Sequence, residues 1–263
     1  MNRHKFSLLI FLVSTVIISC TKVIDLKLKD NSGQLVIEGN VINSTGIQYI
    51  KLSRNVAFTS TNTYPPVTGA TVYVTDNNGI KFVLSEQPAG TYLIAGLVGV
   101  SGDTYKMTVV TNGTTYTASS LMPAQVPLDS ITSKVNEFGS SNTREITVHF
   151  LDPAGVANQY RFIMYVNGLQ TNDIFVINDE FADGRYIDFD LIENDIKIHP
   201  GDVVTVEMQC IDKAVYTYWL TQMQQTEEGP GGVAPSNPPT NITPASLGYF
   251  SAHTSQSLTL AVK

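Results

Sequence analysis

The sequence is poor in charge and in cysteine, and it contains no hydrophobic run long enough to span a membrane. Charged residues make up 15% of the 263 positions, with 16 basic side chains against 23 acidic ones. Electrostatic binding of nucleic acid or anionic lipid requires clustered Lys and Arg, so this balance argues against both functions. Cysteine occurs only at Cys20 and Cys210.

The N-terminal apolar run is too short for a permanent anchor. It extends from Phe6 to Ile18, which is 13 residues, whereas a transmembrane helix needs roughly 20. Arg3 and Lys5 precede the run, and this order of positive charge followed by apolar residues is typical of an export signal. We therefore predict that residues 1–19 are a signal peptide.

The run ends in Ile17-Ile18-Ser19-Cys20, which resembles the bacterial lipobox, an aliphatic pair and a small residue before a cysteine. The resemblance implies cleavage after Ser19, a diacylglycerol on the Cys20 thiol and an added acyl chain such as palmitate. Each buried CH₂ contributes about 0.8 kcal/mol, so two or three chains hold a protein stably on a bilayer. The alternative is an ordinary signal peptide with a coincidental cysteine.

The exported chain would be more acidic than the precursor and would lack disulfides. Loss of Arg3 and Lys5 leaves 14 basic and 23 acidic residues, a formal net charge of −9. With Cys20 acylated, Cys210 has no partner within the chain, and its place on the apolar face of a predicted strand makes it a small core residue. Residues 20–33 would form the tether behind the lipid.

The first half of the exported chain alternates apolar and polar residues, the period-two pattern of half-buried strands. Seven short segments between Gln34 and Ser119 have this pattern, and Asn78-Gly79 and Asn112-Gly113 supply hairpin turns. We predict a β-sandwich over residues 34–122. Its Pro66–Val74 segment, Gly79 and Gly90-Thr91-Tyr92 resemble the prealbumin-like sandwich of carboxypeptidase-regulatory-like domains.

The second half repeats this organisation with one helix added. Pro123 and Pro127 interrupt the strand pattern, so residues 123–128 are predicted to be a linker. Residues 129–263 then predict a second β-sandwich, with a helix over 212–225 that Asp212 caps and Trp219 packs onto the sheet. A Pro-rich loop over 229–246 precedes the last strands. The predicted fold class is mainly β: two β-sandwich domains, the first prealbumin- or Ig-like and the second with one packed helix.

Three segments of the second half point to a family. Asp212–Tyr216, Asn237–Ile242 and Leu247–Ala252 resemble the C-terminal pattern of a Bacteroidota lipoprotein family known as domain of unknown function 4249. The resemblance implies a lipoprotein anchored in the outer membrane, on its periplasmic or cell-surface face, and often encoded near TonB-dependent receptors. It implies no catalytic residue, because the family has none assigned.

The sequence contains no recognisable catalytic motif. His149, His199 and His253 lack zinc-site spacing, and no Gly-x-Ser-x-Gly occurs. We therefore predict no catalytic residue and no cofactor, and we expect that the protein is not an enzyme.

The acidic stretch 178–202 is the main candidate for site chemistry. Asp179, Asp183 and Asp190 fall at positions 1, 5 and 12 of a segment that resembles an EF-hand calcium loop, although Phe181 occupies position 3. Solvated loop carboxylates are the alternative that we favour. Asp188 and Asp190 share one strand face, and a glycosidase would need such carboxylates across a cleft.

One short motif predicts a modification. Asp129-Ser130-Ile131 resembles the acceptor sequence for O-glycosylation of exported Bacteroidota proteins, with Ser130 as the modified residue.

Together these features predict a non-catalytic function. We expect an outer-membrane lipoprotein that is an accessory or ligand-binding component of a TonB-dependent transporter. Its expected partners are the lipid bilayer, through acylated Cys20, and the transport receptor. Two alternatives stay open: a glycan hydrolase that uses an acidic pair, and a structural or adhesive surface module.

Overall fold

The computed structural model describes residues 31–57, 60–61, 63–136, 142–226 and 236–263. The predicted signal peptide, the predicted lipidation site Cys20 and the predicted tether up to residue 30 lie outside these described residues. The described chain is mainly β, with sixteen strands and one helix, as the sequence predicted. In this part of the chain no helix is both long and apolar enough to cross a bilayer.

The strands of the first half follow one another closely. They are β1 (Leu35–Ile42), β2 (Gln48–Arg54), β3 (Thr71–Thr75), β4 (Lys81–Glu86), β5 (Thr91–Ile94), β6 (Thr104–Thr111) and β7 (Thr114–Leu121). The second half contains β8 (Ser130–Val135), β9 (Arg144–Leu151), β10 (Gln159–Val166), β11 (Leu169–Gln170), β12 (Phe175–Asn178), β13 (Tyr186–Leu191), β14 (Val203–Cys210), helix α1 (Lys213–Thr226), β15 (Ile242–Thr243) and β16 (Leu247–Ala261).

One hydrogen-bonded path joins most of the strands. Its order is β11-β10-β14-β16-β1-β2-β5-β4-β3-β6-β7-β15, with β12 also pairing with β10, while β13, β9 and β8 form a separate three-stranded sheet. The first apolar cluster contains Ile37, Leu52, Met107 and Phe250 and lies among β1 to β7, β15 and the first half of β16. The second cluster lies between the three-stranded sheet and the sheet of β10, β12 and β14.

Strand β16 is shared by the two clusters. Its first half pairs in parallel with β1, from Val36 opposite Leu247 to Ile42 opposite His253. Its second half pairs antiparallel with β14, from Cys210 opposite Thr254 to Val203 opposite Ala261. The two predicted strands at 247–252 and 258–262 are therefore one strand of fifteen residues.

A glycine near the start of β16 allows the parallel pairing. Gly248 has a φ of +95°, and a Cβ at this position would overlap the carbonyl group of Ile37. A side chain would therefore separate β16 from β1 at its first pairs. The absence of a side chain is a packing requirement here as well as a conformational one.

The linker predicted at 123–128 connects the two apolar clusters. Met122 belongs to the first cluster, whereas Val126 and Leu128 belong to the second. Because β15 pairs with β7 and β16 pairs with β1, the last part of the chain crosses the boundary predicted at 123–128. Residues 32–263 form one compact unit that contains both apolar clusters.

Helix α1 begins where the sequence predicted. The Asp212 carboxylate accepts a hydrogen bond from the Val215 amide at 2.9 Å, which satisfies one of the unpaired donors of the first turn. The second Asp212 oxygen accepts from Ser120, whose hydroxyl oxygen also accepts from the Ala252 amide at 2.8 Å. The cap thus joins the helix to β7 and β16.

The helix packs through aromatic side chains. Trp219 lies against Tyr249 of β16 with ring centroids 5.2 Å apart, and the guanidinium of Arg161 from β10 lies 3.6 Å from the centre of its ring. Tyr218 completes the group, 5.0 Å from Tyr249. The predicted packing of Trp219 onto the sheet is therefore observed, with β16 and β10 as the supporting strands.

Candidate binding cleft and polar clusters

A cleft of about 1020 Å³ lies in the second half of the chain. It lies between β12 and β13 and reaches the helix. Its apolar wall consists of Ile174, Phe175, Val176, Ile177, Phe189, Ile192 and Met223. Its polar lining is Asp173, Asp190, Asn194 and Asp195.

The cleft is open because two sheets end there. Among the described strands, β12 pairs only with β10 and β13 pairs only with β9, so each is an edge strand. An edge strand presents backbone N–H and C=O groups that can pair with another chain. The cleft therefore has apolar side chains beside two strand edges.

The polar rim is acidic. Three of the four polar lining residues are aspartates, and the lining contains no Lys or Arg. Next to the rim, burial raises the pKa of Glu193, and the charge of Asp173 raises it further. A positively charged or neutral occupant is favoured here over an anion.

A smaller cavity of about 390 Å³ lies beside the helix. It is lined by residues of β1 and β2, by Tyr218 and Gln222 of α1, and by Asn237 and Pro238. Residues 229–235 of the predicted Pro-rich loop lie outside the described residues, so the described part of this loop begins at Ser236. Beyond the cavity the Asn241 side chain donates to the Phe250 carbonyl at 2.7 Å and accepts from the Phe250 amide at 3.0 Å.

The predicted acidic pair lies on the outer face of the three-stranded sheet. Asp188 is 2.5 Å from His149 Nδ1, and His149 Nε2 is 2.7 Å from the hydroxyl oxygen of Thr132. These three residues come from neighbouring strands, because Asp188 lies opposite His149 in the β13–β9 pairing. The arrangement is a hydroxyl–imidazole–carboxylate chain on an open surface.

Asp190 has different partners from Asp188. It accepts a hydrogen bond from the Thr147 hydroxyl at 2.6 Å and lies 2.5 Å from the ammonium group of Lys134. Burial alone would raise the pKa of Asp190, but these two interactions outweigh it and lower the pKa. A carboxyl group with a lowered pKa is a poor general acid.

The structure changes the membership of the predicted calcium group. Asp179 and Asp183 lie close together, as predicted, but Asp190 is not with them, because its strand pairs it with Thr147 of β9. Asp152, which follows β9, takes the third place. The sequence signal that was missed is Asp152-Pro153, where the apolar face of β9 ends in a buried carboxylate.

The remaining candidate residues lie apart from one another. His253 is buried in β16, whereas His149 lies on the three-stranded sheet and His199 in the turn before β14. Cys210 is buried, as predicted, and burial raises the pKa of its thiol. Ser130 is exposed at the first position of edge strand β8, where its modification stays a prediction.

Comparison with known proteins identifies one family. A family model described as "Domain of unknown function (DUF4249)" matches residues 21–259. No curated protein shows a significant match to the chain. The matched range includes the cleft, the helix, the first apolar cluster and all of the second except its last residues, such as Val262.

Proposed function

The chain belongs to the DUF4249 family, and on that premise we propose that it is a lipid-anchored outer-membrane protein with a non-catalytic accessory function. In this proposal Cys20 holds the protein on the membrane, at the periplasmic or cell-surface face, and the folded part binds a TonB-dependent transport receptor. The lipobox and the short apolar run before it support the anchor. The Bacteroidota origin and the prealbumin-like character of the first sandwich belong to the same proposal.

The open cleft is the observation that carries the binding function. Its apolar wall lies between two strand edges, and its rim is acidic. These properties suit an extended protein segment that adds to the edge of β12, places apolar side chains in the cleft and presents basic side chains to Asp173 and Asp195. Strand addition of this kind draws affinity from main-chain hydrogen bonds and specificity from alternate side chains.

A hydrolase is the second candidate, and the Thr132–His149–Asp188 chain is the observation that favours it. These three hydrogen-bonded side chains have the same order as the hydroxyl nucleophile, the base and the carboxylate of nucleophilic hydrolases. Its surroundings favour the non-catalytic proposal, because β9 pairs with a strand on each side and its backbone amides are engaged in the sheet. An oxyanion site needs amides directed at the substrate.

Site-specific crosslinking tests the cleft. A photo-reactive residue at Ile192, which is 55% exposed on the cleft lining, should crosslink to the receptor in intact outer membranes. The same residue at Val83 of β4, which is 57% exposed and lies away from the cleft, is the matched control and should give little product.

The outcomes separate the candidates. A receptor adduct at Ile192 with little at Val83 supports the accessory function. Equal adducts at both positions, or none at Ile192, would overturn the cleft as the binding surface. Release of acyl groups from ester substrates by the purified protein, lost in Asp188→Asn, would establish a nucleophilic hydrolase instead.

A further inference from the structure

Three carboxylates converge between the end of β9 and the segment that joins β12 to β13. Asp152 comes from the first element, and Asp179 and Asp183 come from the second. One oxygen of each lies within 4.8 Å of the corresponding oxygen of the other two. Oxygen ligands at about 2.4 Å from one calcium ion lie at most about 4.8 Å apart, so this spacing suits a shared cation.

The described residues supply no positive charge to this group. Asp152 is 1% exposed and Asp179 is 6% exposed, yet no Lys or Arg of the described chain forms an ion pair with any of the three. Buried carboxylates this close repel one another unless a cation or a proton neutralises them. A bound cation would remove the repulsion.

The hydrogen bonds of the group leave oxygen atoms for a cation. Asp152 accepts from the Tyr160 hydroxyl and the Gly184 amide, and Asp183 Oδ1 accepts from the Gly155 amide at 2.7 Å. Asp179 Oδ2 accepts a hydrogen bond from the backbone amide of Asn158, also at 2.7 Å. Asp179 Oδ1 and Asp183 Oδ2 have no donor within the described chain.

A fourth oxygen points independently to a ligand. The side-chain oxygen of Asn158 is buried without any hydrogen-bond partner in the described structure, and the residue is only 5% exposed. A buried amide oxygen without a donor is costly, which makes an unseen partner the natural explanation.

The pairing of β10 with β12 directs Asn158 toward the carboxylates. Gln159 lies opposite Asn178, so Asn158 and Asp179 form the next pair and share a sheet face. Their backbones are joined, since the Asp179 amide donates to the Asn158 carbonyl at 3.2 Å. Tyr160 lies two residues further along the same face, and its hydroxyl donates a hydrogen bond to Asp152. The Asn158 side chain therefore lies on the sheet face from which Tyr160 reaches Asp152.

We propose that Asp152, Asp179, Asp183 and Asn158 bind a calcium ion. All four offer oxygen, which hard cations prefer, and no His or Cys of the described chain joins the group. Calcium accepts irregular coordination by several protein oxygens, whereas magnesium requires near-octahedral geometry and retains its water. The ion would join the loop after β9 to Asp179, the residue that directly follows β12. Strand β12 forms a wall of the cleft.

Thermal unfolding of the detergent-solubilised full-length protein tests the site. After removal of metal with EDTA, addition of millimolar CaCl₂ should raise the melting temperature by about 5 to 10 °C if it reaches roughly 100 times Kd. The same concentration of MgCl₂ should have little effect. Terbium should bind at the same position and luminesce on tyrosine excitation, because Tyr160 contacts Asp152.

Two matched variants make the test specific. Asp183→Asn changes an exposed ligand and keeps an oxygen for the Gly155 amide, so the protein should fold and its calcium affinity should fall at least about tenfold. Asp190→Asn removes one carboxylate from the same acidic stretch but outside the group, and it should retain the full calcium response. Asn158→Ala should also weaken the response.

Several results would overturn the proposal. One is a wild-type melting temperature that does not change in 5 mM CaCl₂, a concentration on the order of the upper limit for extracellular calcium modules. Another is loss of the response in Asp190→Asn with retention in Asp183→Asn. An equal shift with magnesium would contradict calcium as the ion. None of these results depends on the receptor, so the site and the proposed accessory function are tested separately.

Discussion

The buried histidine of β16 should make the stability of the fold depend on pH. His253 is 2% exposed, lies opposite Ile42 in the pairing with β1, and has its Nδ1 atom 2.9 Å from the Ser251 hydroxyl. Burial and, to a smaller extent, the positive charge of Arg161 together lower the pKa of His253 to about 3. The imidazole is therefore neutral in the folded protein at neutral pH.

The sign and size of the effect follow from linkage. An unfolded histidine has a pKa of about 6.5, so between pH 6.5 and 3 the unfolded state binds a proton that the folded state does not. The contribution of His253 to stability is complete above pH 6.5 and is lost as the pH falls toward 3. At about 1.36 kcal/mol per pH unit, the free energy of unfolding falls by roughly 2 kcal/mol between pH 7.5 and pH 5.

Urea denaturation at several pH values measures this slope. His253→Gln cannot acquire the charge, so the difference in unfolding free energy between pH 7.5 and pH 5 should shrink by about 2 kcal/mol relative to wild type. His149→Gln, on the surface of the three-stranded sheet, is the control and should keep this part of the slope. An unchanged slope in His253→Gln would refute the reasoning.

Three further substitutions test other parts of the account. Gly248→Ala would place a Cβ against the Ile37 carbonyl, so it should lower the free energy of unfolding in the same urea assay by at least about 2 kcal/mol, or prevent folding. A variant as stable as wild type would contradict the close approach of β16 to β1. Asp212→Ala removes the cap on the Val215 amide and should lower the free energy of unfolding, measured in urea, by about 1 kcal/mol. An unchanged free energy of unfolding would show that the cap contributes nothing to stability. Cys20→Ala should abolish incorporation of labelled palmitate and leave the precursor unprocessed at this site, whereas a labelled mature protein would disprove the lipobox.

The sequence predicted those parts of the fold that depend on local pattern. The strands of the first half were located because apolar residues alternate along them, and α1 because Val215, Trp219 and Met223 recur at helical spacing after a capping Asp212. Such patterns arise from neighbours along the chain, so a single sequence contains them.

Long-range pairing could not be predicted in the same way. Nothing near Leu247 in the sequence indicates that it lies beside Val36, more than 200 positions earlier. The length of β16 was also missed, because Thr254 and Ser255 interrupt its apolar pattern where the strand changes partner from β1 to β14. Partner choice depends on the whole fold and leaves little local signal.

The same distinction between local pattern and long-range pairing applies to the site residues. Asp179 and Asp183 were found because they are four positions apart in one acidic loop. Asp152 and Asn158 were not, because both lie in the connection between β9 and β10, which the β9–β13 and β10–β12 pairings bring to the group. The cleft likewise exists because two sheets end at β12 and β13, which no sequence window contains.

Capture of the receptor through the cleft tests the central claim most directly. The full-length protein is immunoprecipitated from solubilised outer membranes, and the co-purified receptor is quantified by mass spectrometry. Ile192→Lys adds a positive charge to the apolar wall, whereas Val83→Lys adds the same charge at a similarly exposed position on β4. We expect Ile192→Lys to reduce receptor recovery at least about tenfold, the effect of roughly 1.4 kcal/mol in binding free energy, and Val83→Lys to leave it near wild type. Equal recovery with both variants would contradict the account.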